Sequence, residues 1–190
     1  MSVEAAVGDA GQRWIQWWCA PWQWAHPDWL ARFAAASDLS PDLCAGLLCS
    51  RHGAFLHSVG IQPAQPPEPV AALLQWLALS AAQQQQALAL AGRICLAPLN
   101  PAMTDDHGAE HEAWCRSVAK ALRPGVWLVP GLNDPRLLLA AWVGEACWSR
   151  LRLAWSPEVL ADWPDEALPE LPAHKLHTLW QSVLWRIAAA

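Results

Sequence analysis

The sequence predicts an all-α protein: a single domain of about eight helices with irregular packing. Apolar residues recur at helical spacing through most of the 190 residues, and Ser, Asn, Asp and Pro helix-start signals separate the apolar stretches. No segment has an evident partner with which to form a sheet. At this length roughly 70% of the unfolded chain's surface can be buried, which is enough for one core.

The first elements follow from a segment that holds six of the fifteen tryptophans. Breaks at Pro21 and Pro27 predict two short helices joined by a turn. Trp14, Trp17 and Trp18 have the i, i+3, i+4 spacing that places side chains on one helical stripe. Pro27 suits the first turn of the second helix, which we expect to end near residues 37–38.

A helix start at Ser40 and Pro41 predicts the next helix, which runs through Phe55. Residues 60–69 contain four prolines and predict an extended loop. We therefore expect three parts within what is one domain overall: a Trp-rich helical region (1–59), the Pro-rich loop (60–69) and a main helical body (70–190).

Within the body, Ser80 and Gln83 form a capping-box signature, which predicts two helices that meet near Ser80. Acidic residues at its start and cations at its end predict a helix over about 105–122. Residues 124–131 are predicted to be an extended connector, because they are too short for a helix and are flanked by Pro-Gly.

The last third of the chain begins with the helix-start sequence at residues 133–135, which predicts a central helix of about 20 residues, reaching Trp155. A short helix is expected to start at Ser156 and Pro157, followed by an acidic, proline-punctuated loop. Residues 174–190 predict a terminal amphipathic helix.

Charge and cysteine usage exclude several classes of function. The net charge is −5 and the chain has only two lysines, so it lacks the basic face that binds nucleic acid. Six cysteines without C-x-x-C spacing, behind an N-terminus that does not resemble a secretory signal, indicate free thiols in a reducing cytosol. The apolar run Leu137–Trp155 contains Glu145, Arg150 and Arg152, which argues against insertion into a membrane.

The candidate catalytic pattern is His107, Glu110 and His111, an H-x-x-E-H string of the kind found in inverted zincins. A zinc-dependent hydrolase is therefore one alternative. The competing interpretation is a solvated acidic helix start, because Gly108 weakens the helix and no further ligand is identifiable. We expect no catalytic residues, no metal and no cofactor.

Tryptophan and acidic residues supply the candidate contact sites. Trp76, Trp142, Trp148, Trp155, Trp180 and Trp185 lie in long helical stretches and are expected to be packing residues. The tryptophans of residues 14–29 are too dense for one short segment to bury, so we expect some of them to meet a partner. Acidic residues cluster in 105–112 and 158–170, which suits either solubility or docking onto a basic partner.

Three stretches carry a resemblance to a known family. They are Trp24-Ala-His26-Pro27-Asp28-Trp29-Leu30, the Leu/Ala/Gln-rich middle from Ala72-Leu-Leu-Gln-Trp76 to Arg93-Ile-Cys-Leu96, and the helix from Leu138 to Trp148. Together they resemble the SctK group of type III secretion accessory proteins, the YscK- and HrpD-like proteins.

The resemblance implies a cytoplasmic adaptor of the sorting platform. Such a protein is peripheral to the inner membrane, and it links the cytoplasmic domain of the inner-membrane ring protein to the pod protein. A helical secretion chaperone is a further alternative. The residues predicted to bind partners come from this sequence alone: Trp14, Trp17, Trp18, Trp22, Trp24, Trp29, Glu158, Asp162, Asp165 and Glu166.

Overall fold

A computed structural model describes residues 3–96, 109–128, 132–163 and 170–189. These residues form ten α-helices and no strand, which confirms the predicted all-α class with a helix number close to the expected eight. The helices are α1 Val3–Cys19, α2 Pro27–Ala36, α3 Pro41–Ser58, α4 Ala71–Ala78, α5 Ala81–Cys95, α6 Ala109–Leu122, α7 Pro124–Trp127, α8 Pro135–Val143, α9 Glu145–Leu151 and α10 Ala173–Ala188.

The predicted helix starts are confirmed where short polar side chains precede the apolar runs. The Ser40 hydroxyl accepts from the backbone N–H of Leu43 at 3.4 Å. At Ser80 the capping box is complete: its hydroxyl accepts from the Gln83 N–H at 3.3 Å, and the Gln83 side chain accepts from the Ser80 N–H at 3.0 Å. These contacts satisfy N–H groups that a helix leaves unpaired at its first turn.

The chain packs as two compact units. Unit 1 comprises residues 1–69 and 146–166, and unit 2 comprises residues 70–145 and 167–190. The boundary at residue 70 coincides with the end of the predicted Pro-rich loop, whereas the return of residues 146–166 to the N-terminal region leaves no trace in the sequence pattern. Organisation as one domain stays a prediction.

The predicted central helix is wrong in one respect: it is broken at Gly144. This residue has φ +75°, a left-handed conformation that glycine adopts without the steric penalty of a Cβ atom. The chain therefore forms α8 before Gly144 and α9 after it. The apolar run continues through the break, so periodicity alone gave no sign of the boundary.

Two shorter predictions in the same half of the chain are also wrong. The expected connector begins with a single helical turn, α7, with Pro124 at its first position. The short helix expected from Pro157 is instead a run of turns over residues 157–162. Both segments are too short for hydrophobic periodicity to distinguish a turn from a helix.

The core of unit 1 forms where α2 packs on α3. Phe55 is completely buried, and the Phe33 ring meets it edge-on at a centroid distance of 5.6 Å. The end of α3 is closed by a Schellman motif, in which the Ile61 N–H donates to Leu56 O at 2.8 Å and the Gly60 N–H donates to His57 O at 3.0 Å. Ile61 is buried, so the chain leaves α3 anchored in the core.

The core of unit 2 is built on α5 and α10. Helix α5 packs against α6, α8 and α10, and α10 also packs against α4. Trp180 on α10 is completely buried; the Trp76 ring meets it edge-on at 5.5 Å, and the Trp142 ring stacks on it at 5.7 Å. The Trp180 indole N–H donates to Leu138 O at 3.2 Å, which joins α10 to α8.

Candidate functional site

Three of the tryptophans predicted to meet a partner are buried in unit 1. Trp14, Trp17 and Trp18 are exposed by 1%, 3% and 2%. Their rings contact one another, with centroids 5.2 to 6.3 Å apart, so the predicted single stripe exists. The three rings are therefore not exposed in this structure, and their role in partner binding stays a prediction.

The stripe is covered by the Pro-rich segment of residues 61–69, which we call the strap. The strap contains no helix or strand, in agreement with the predicted extended loop. The Trp14 indole N–H donates to Pro67 O and the Trp18 indole N–H donates to Ala64 O, each at 2.8 Å. Residues far apart in sequence are thus tied together by side chains that can only donate and carbonyls that can only accept.

The other three N-terminal tryptophans differ in exposure. Trp22 is partly buried and stacks on the His52 ring at 5.2 Å. Trp29 is partly buried and donates from its indole N–H to Trp155 O at 2.8 Å. Trp24 is 50% exposed. A partner role stays a prediction for this set, and Trp24 has the accessible ring that such a role requires.

Two arginines that sequence reasoning used only against a membrane span stabilise helix ends in unit 1. Arg150 is 5% exposed, and its Nε donates to Trp18 O at 3.1 Å, near the end of α1. Its guanidinium also lies over the Trp18 ring, 3.6 Å from the centroid. Arg152 donates to Val59 O at the end of α3. Cations at helix C-termini interact favourably with the partial negative charge there.

Burial disfavours the charged form of both arginines. It therefore lowers the pKa of Arg150 and of Arg152 below the usual value for a guanidinium. Guanidinium groups nevertheless keep their charge in proteins. No local pattern in the sequence could have located these contacts, which span 132 and 93 positions.

The acidic candidates lie partly within the described residues. Glu158 and Asp162 are exposed in the run of turns after residue 156. Val159, which lies between them, is 51% exposed. Asp165 and Glu166 lie outside the described residues. The structure thus presents two of the four carboxylates on the surface of unit 1.

The zincin-like string is described only at His111, since His107 and the side chain of Glu110 lie outside the described residues. Arg186 Nε donates to His111 Nδ1 at 3.2 Å, which makes Nδ1 an acceptor. The ring Nε2 lies 3.3 Å from the Gln86 amide. The amide nitrogen faces the ring in this structure. An imidazole that accepts at Nδ1 and is neutral has its proton on Nε2, so this contact is a hydrogen bond only if the amide oxygen is turned toward the ring.

Both nitrogens of His111 therefore have polar partners, and a metal ion would have to displace one of them. In the described part of the chain, no group of three or more His, Cys, Asp or Glu residues is placed to hold a metal ion.

Sequence reasoning missed an aromatic groove in unit 2. It has a volume of about 380 Å³ and runs between α6 and α10. The side chains that line this groove are Trp114, Val118, Gln181, Ser182 and Trp185. Trp185 is 67% exposed, although its place in a long amphipathic helix predicted a packing residue.

One cation lies beside the aromatic groove: the Arg186 guanidinium is 5.7 Å from the Trp114 ring centroid. Arg116 and Lys120 are also exposed on α6, but their i+2 and i+6 positions relative to Trp114 place them on a different face of the helix. The groove thus combines two indole rings with an adjacent guanidinium, which suits a ligand with apolar anchors and an acidic side chain.

Neither the search for membrane-spanning helices nor the comparison with known proteins assigns a function. Among the described residues, no helix is both long enough and apolar enough to span a bilayer. Comparisons of the chain with protein-family models, with curated proteins and with solved structures give no match. The evidence for a function is therefore the aromatic groove of unit 2 and the exposed carboxylates of unit 1.

Proposed function

We propose that this chain is a non-enzymatic adaptor that binds protein partners, and that it acts in a bacterial type III secretion apparatus between the inner-membrane ring and the cytosolic sorting platform. The aromatic groove of unit 2 carries the proposal. Trp185 leaves two thirds of its side-chain surface in water beside a second indole, Trp114. Exposed tryptophans in a concave surface are typical of interface hot spots.

The occupant that fits the groove is an amphipathic helix of a partner protein. Its apolar residues would fill the space between the two indoles, while an acidic side chain beside them would face Arg186. Helix-in-groove recognition uses this combination of apolar anchors and flanking charge. The resemblance to SctK proteins supplies the partner candidates, which are the cytoplasmic domain of the ring protein and the pod protein.

A binding experiment with purified ring domain and pod protein tests the groove. Trp185→Ala should weaken the affinity for one of the two partners by about 30-fold or more, as expected for a hot-spot residue. Trp24→Ala is the comparison, because it removes a half-exposed indole from unit 1 and should leave the affinity for the groove-bound partner unchanged. If neither protein binds the chain, or if Trp185→Ala binds as tightly as the parent, the adaptor assignment is lost.

The exposed carboxylates of unit 1 suit a second partner with a basic surface, as an adaptor between two proteins requires. Reversal of Asp162, Asp165 and Glu166 to Lys should slow association with that partner and leave the helix content unchanged. A parallel titration with salt provides the control, since a charge-steered association slows as ionic strength rises. If association responds neither to the substitutions nor to salt, the carboxylates of unit 1 are not a docking surface.

A further inference from the structure

The attachment of the strap to α1 is made by backbone, and it is separate from the aromatic groove. Two hydrogen bonds join the strap to α1, and both run from an indole N–H to a backbone carbonyl. Residues 62–69 are all exposed, although the indoles that donate to them are buried. The contact therefore depends on where the strap presents its carbonyls.

The two surfaces match in chemistry. An indole N–H can only donate, and a proline contributes a carbonyl but no N–H. Four of the nine strap residues are proline, so much of this backbone can only accept. Extended Pro-rich chain has no internal hydrogen bonds, which leaves its carbonyls free for external donors. The tryptophan stripe of α1 offers such donors on an otherwise apolar surface.

Each of the two surfaces also repeats at a regular interval. Ala64 and Pro67, whose carbonyls accept the bonds, are three residues apart. Polyproline II chain has three residues per turn, so these carbonyls repeat on one edge. Trp14 and Trp18 are four residues apart and repeat on one face of a helix. Proline fixes φ near −65° and disfavours helix at the preceding residue, so the strap sequence itself favours this extended form.

We propose that the Trp14 and Trp18 face of α1 is a binding site for extended Pro-rich segments, filled in this structure by the chain's own strap. A Pro-rich segment of a partner protein, with carbonyl acceptors three residues apart, binds there in its place. Recognition of polyproline by aromatic side chains is a recurrent mode of peptide binding. The partner's segment is recognised through its backbone carbonyls, which are the groups that accept the two indole bonds from the strap.

The strap competes with such a ligand because it is tethered beside the site. A short linker gives an effective concentration in the millimolar range, so the parent protein binds a free peptide weakly. The experiment therefore needs a variant of the protein, called the host, in which the strap is loosened but not removed. Four substitutions do this at constant length: Pro63→Gly, Pro66→Gly, Pro67→Gly and Pro69→Gly. Glycine raises the conformational entropy that docking must overcome.

The experiment titrates this full-length host with a capped synthetic peptide of residues 61–70. The readout is the indole N–H signals of Trp14 and Trp18 in a ¹H–¹⁵N spectrum, assigned by Trp→Phe substitution. Both should exchange slowly in the parent, exchange fast in the host and regain protection as the peptide binds. Trp14→Phe or Trp18→Phe should each weaken peptide binding about tenfold, since each removes one donor.

Two controls make the outcome decisive. Trp127→Phe removes an indole N–H that donates to Leu122 O, outside this contact, and should leave peptide affinity unchanged. A peptide with glycine at all four proline positions should bind at least about tenfold more weakly. If the fourfold host does not fold, the single Pro67→Gly variant takes its place. Absence of saturable binding, or binding that ignores Trp14→Phe and Trp18→Phe, overturns the proposal. Neither result depends on the aromatic groove, so this test and that of the adaptor function fail separately.

Discussion

Both units bury tryptophans, but they treat the indole N–H differently. In unit 1, three indoles donate at 2.8 Å to carbonyls outside helices: Trp14 to Pro67, Trp18 to Ala64 and Trp29 to Trp155. In unit 2, Trp180 donates to Leu138 O, within α8, at the longer distance of 3.2 Å. The Trp76 indole N–H is buried without a hydrogen-bond partner in the described part of the chain.

The difference follows from which carbonyls are free. Carbonyls inside a helix already accept a backbone N–H, whereas those of the strap and of helix ends need another donor. Unit 1 has irregular backbone to satisfy, and its tryptophans and arginines supply donors for it. Unit 2 is largely helix on helix, and its core tryptophans Trp76 and Trp180 contribute mainly apolar area. The Trp127 indole N–H donates to Leu122 O at the end of α6, at 3.0 Å, so one helix end of unit 2 is satisfied in the same way. Tryptophan thus bonds irregular or terminal backbone in both units, and it fills space in the core of unit 2.

The largest effect that this comparison predicts is at Trp180. Trp180→Ala should lower the free energy of unfolding by about 3 to 5 kcal/mol, because it empties a fully buried site between two other rings. Urea denaturation followed by circular dichroism measures it. Trp185→Ala lies on the same helix but is 67% exposed, so it should change stability by less than about 0.5 kcal/mol. Equal losses at the two positions would mean that Trp180 is not the centre of this core.

In unit 1 the corresponding test concerns a donor. Arg150→Met keeps much of the side-chain volume but removes the hydrogen bond to Trp18 O and the contact with the Trp18 ring. These losses exceed the relief from no longer burying a charge, and we expect a net destabilisation of about 2 kcal/mol. The same denaturation assay measures it, with exposed Arg116→Met as control. A more stable Arg150→Met protein would show that burial of the charge outweighs its contacts.

Arg150 also marks the limit of prediction from sequence. Helix starts at Ser40 and Ser80 were predictable because a cap acts within three residues. The pairing of Arg150 with Trp18 spans 132 positions, and nothing local announces it. The prediction that Trp185 is a packing residue was wrong for a related reason. Helical spacing places it on an amphipathic helix but does not say which face of that helix a neighbour covers. Only the assembled helices decide that.

Tryptophan-to-phenylalanine substitutions separate the two roles directly, because phenylalanine keeps a ring but loses the N–H. Trp14→Phe and Trp18→Phe should each cost about 1 kcal/mol more than Trp76→Phe, since the first two lose a hydrogen bond and the third loses an unsatisfied donor. Thermal and urea unfolding of the three variants measure the difference. Identical costs would mean that the strap bonds contribute nothing to stability and that tryptophan acts as filler in both units.

Thiols provide the last and smallest contrast, and they also report whether the units open separately. Burial raises the pKa of Cys95 in unit 2 to about 12, while Cys19 and Cys49 of unit 1 are exposed. A free thiol has a pKa of about 8.5. The unfolded chain therefore loses this proton first as pH rises, and the folded state loses stability by about 1 kcal/mol from about pH 8 to pH 9.5. Cys95→Ala should reduce that slope, and Cys115 and Cys147, whose pKa values burial also raises, should account for part of the slope that remains. Maleimide should label Cys19 and Cys49 at once in the folded protein, and it should label Cys95 only when unit 2 opens. If Arg150→Met leaves the rate of Cys95 labelling unchanged, unit 2 keeps its core while unit 1 loosens.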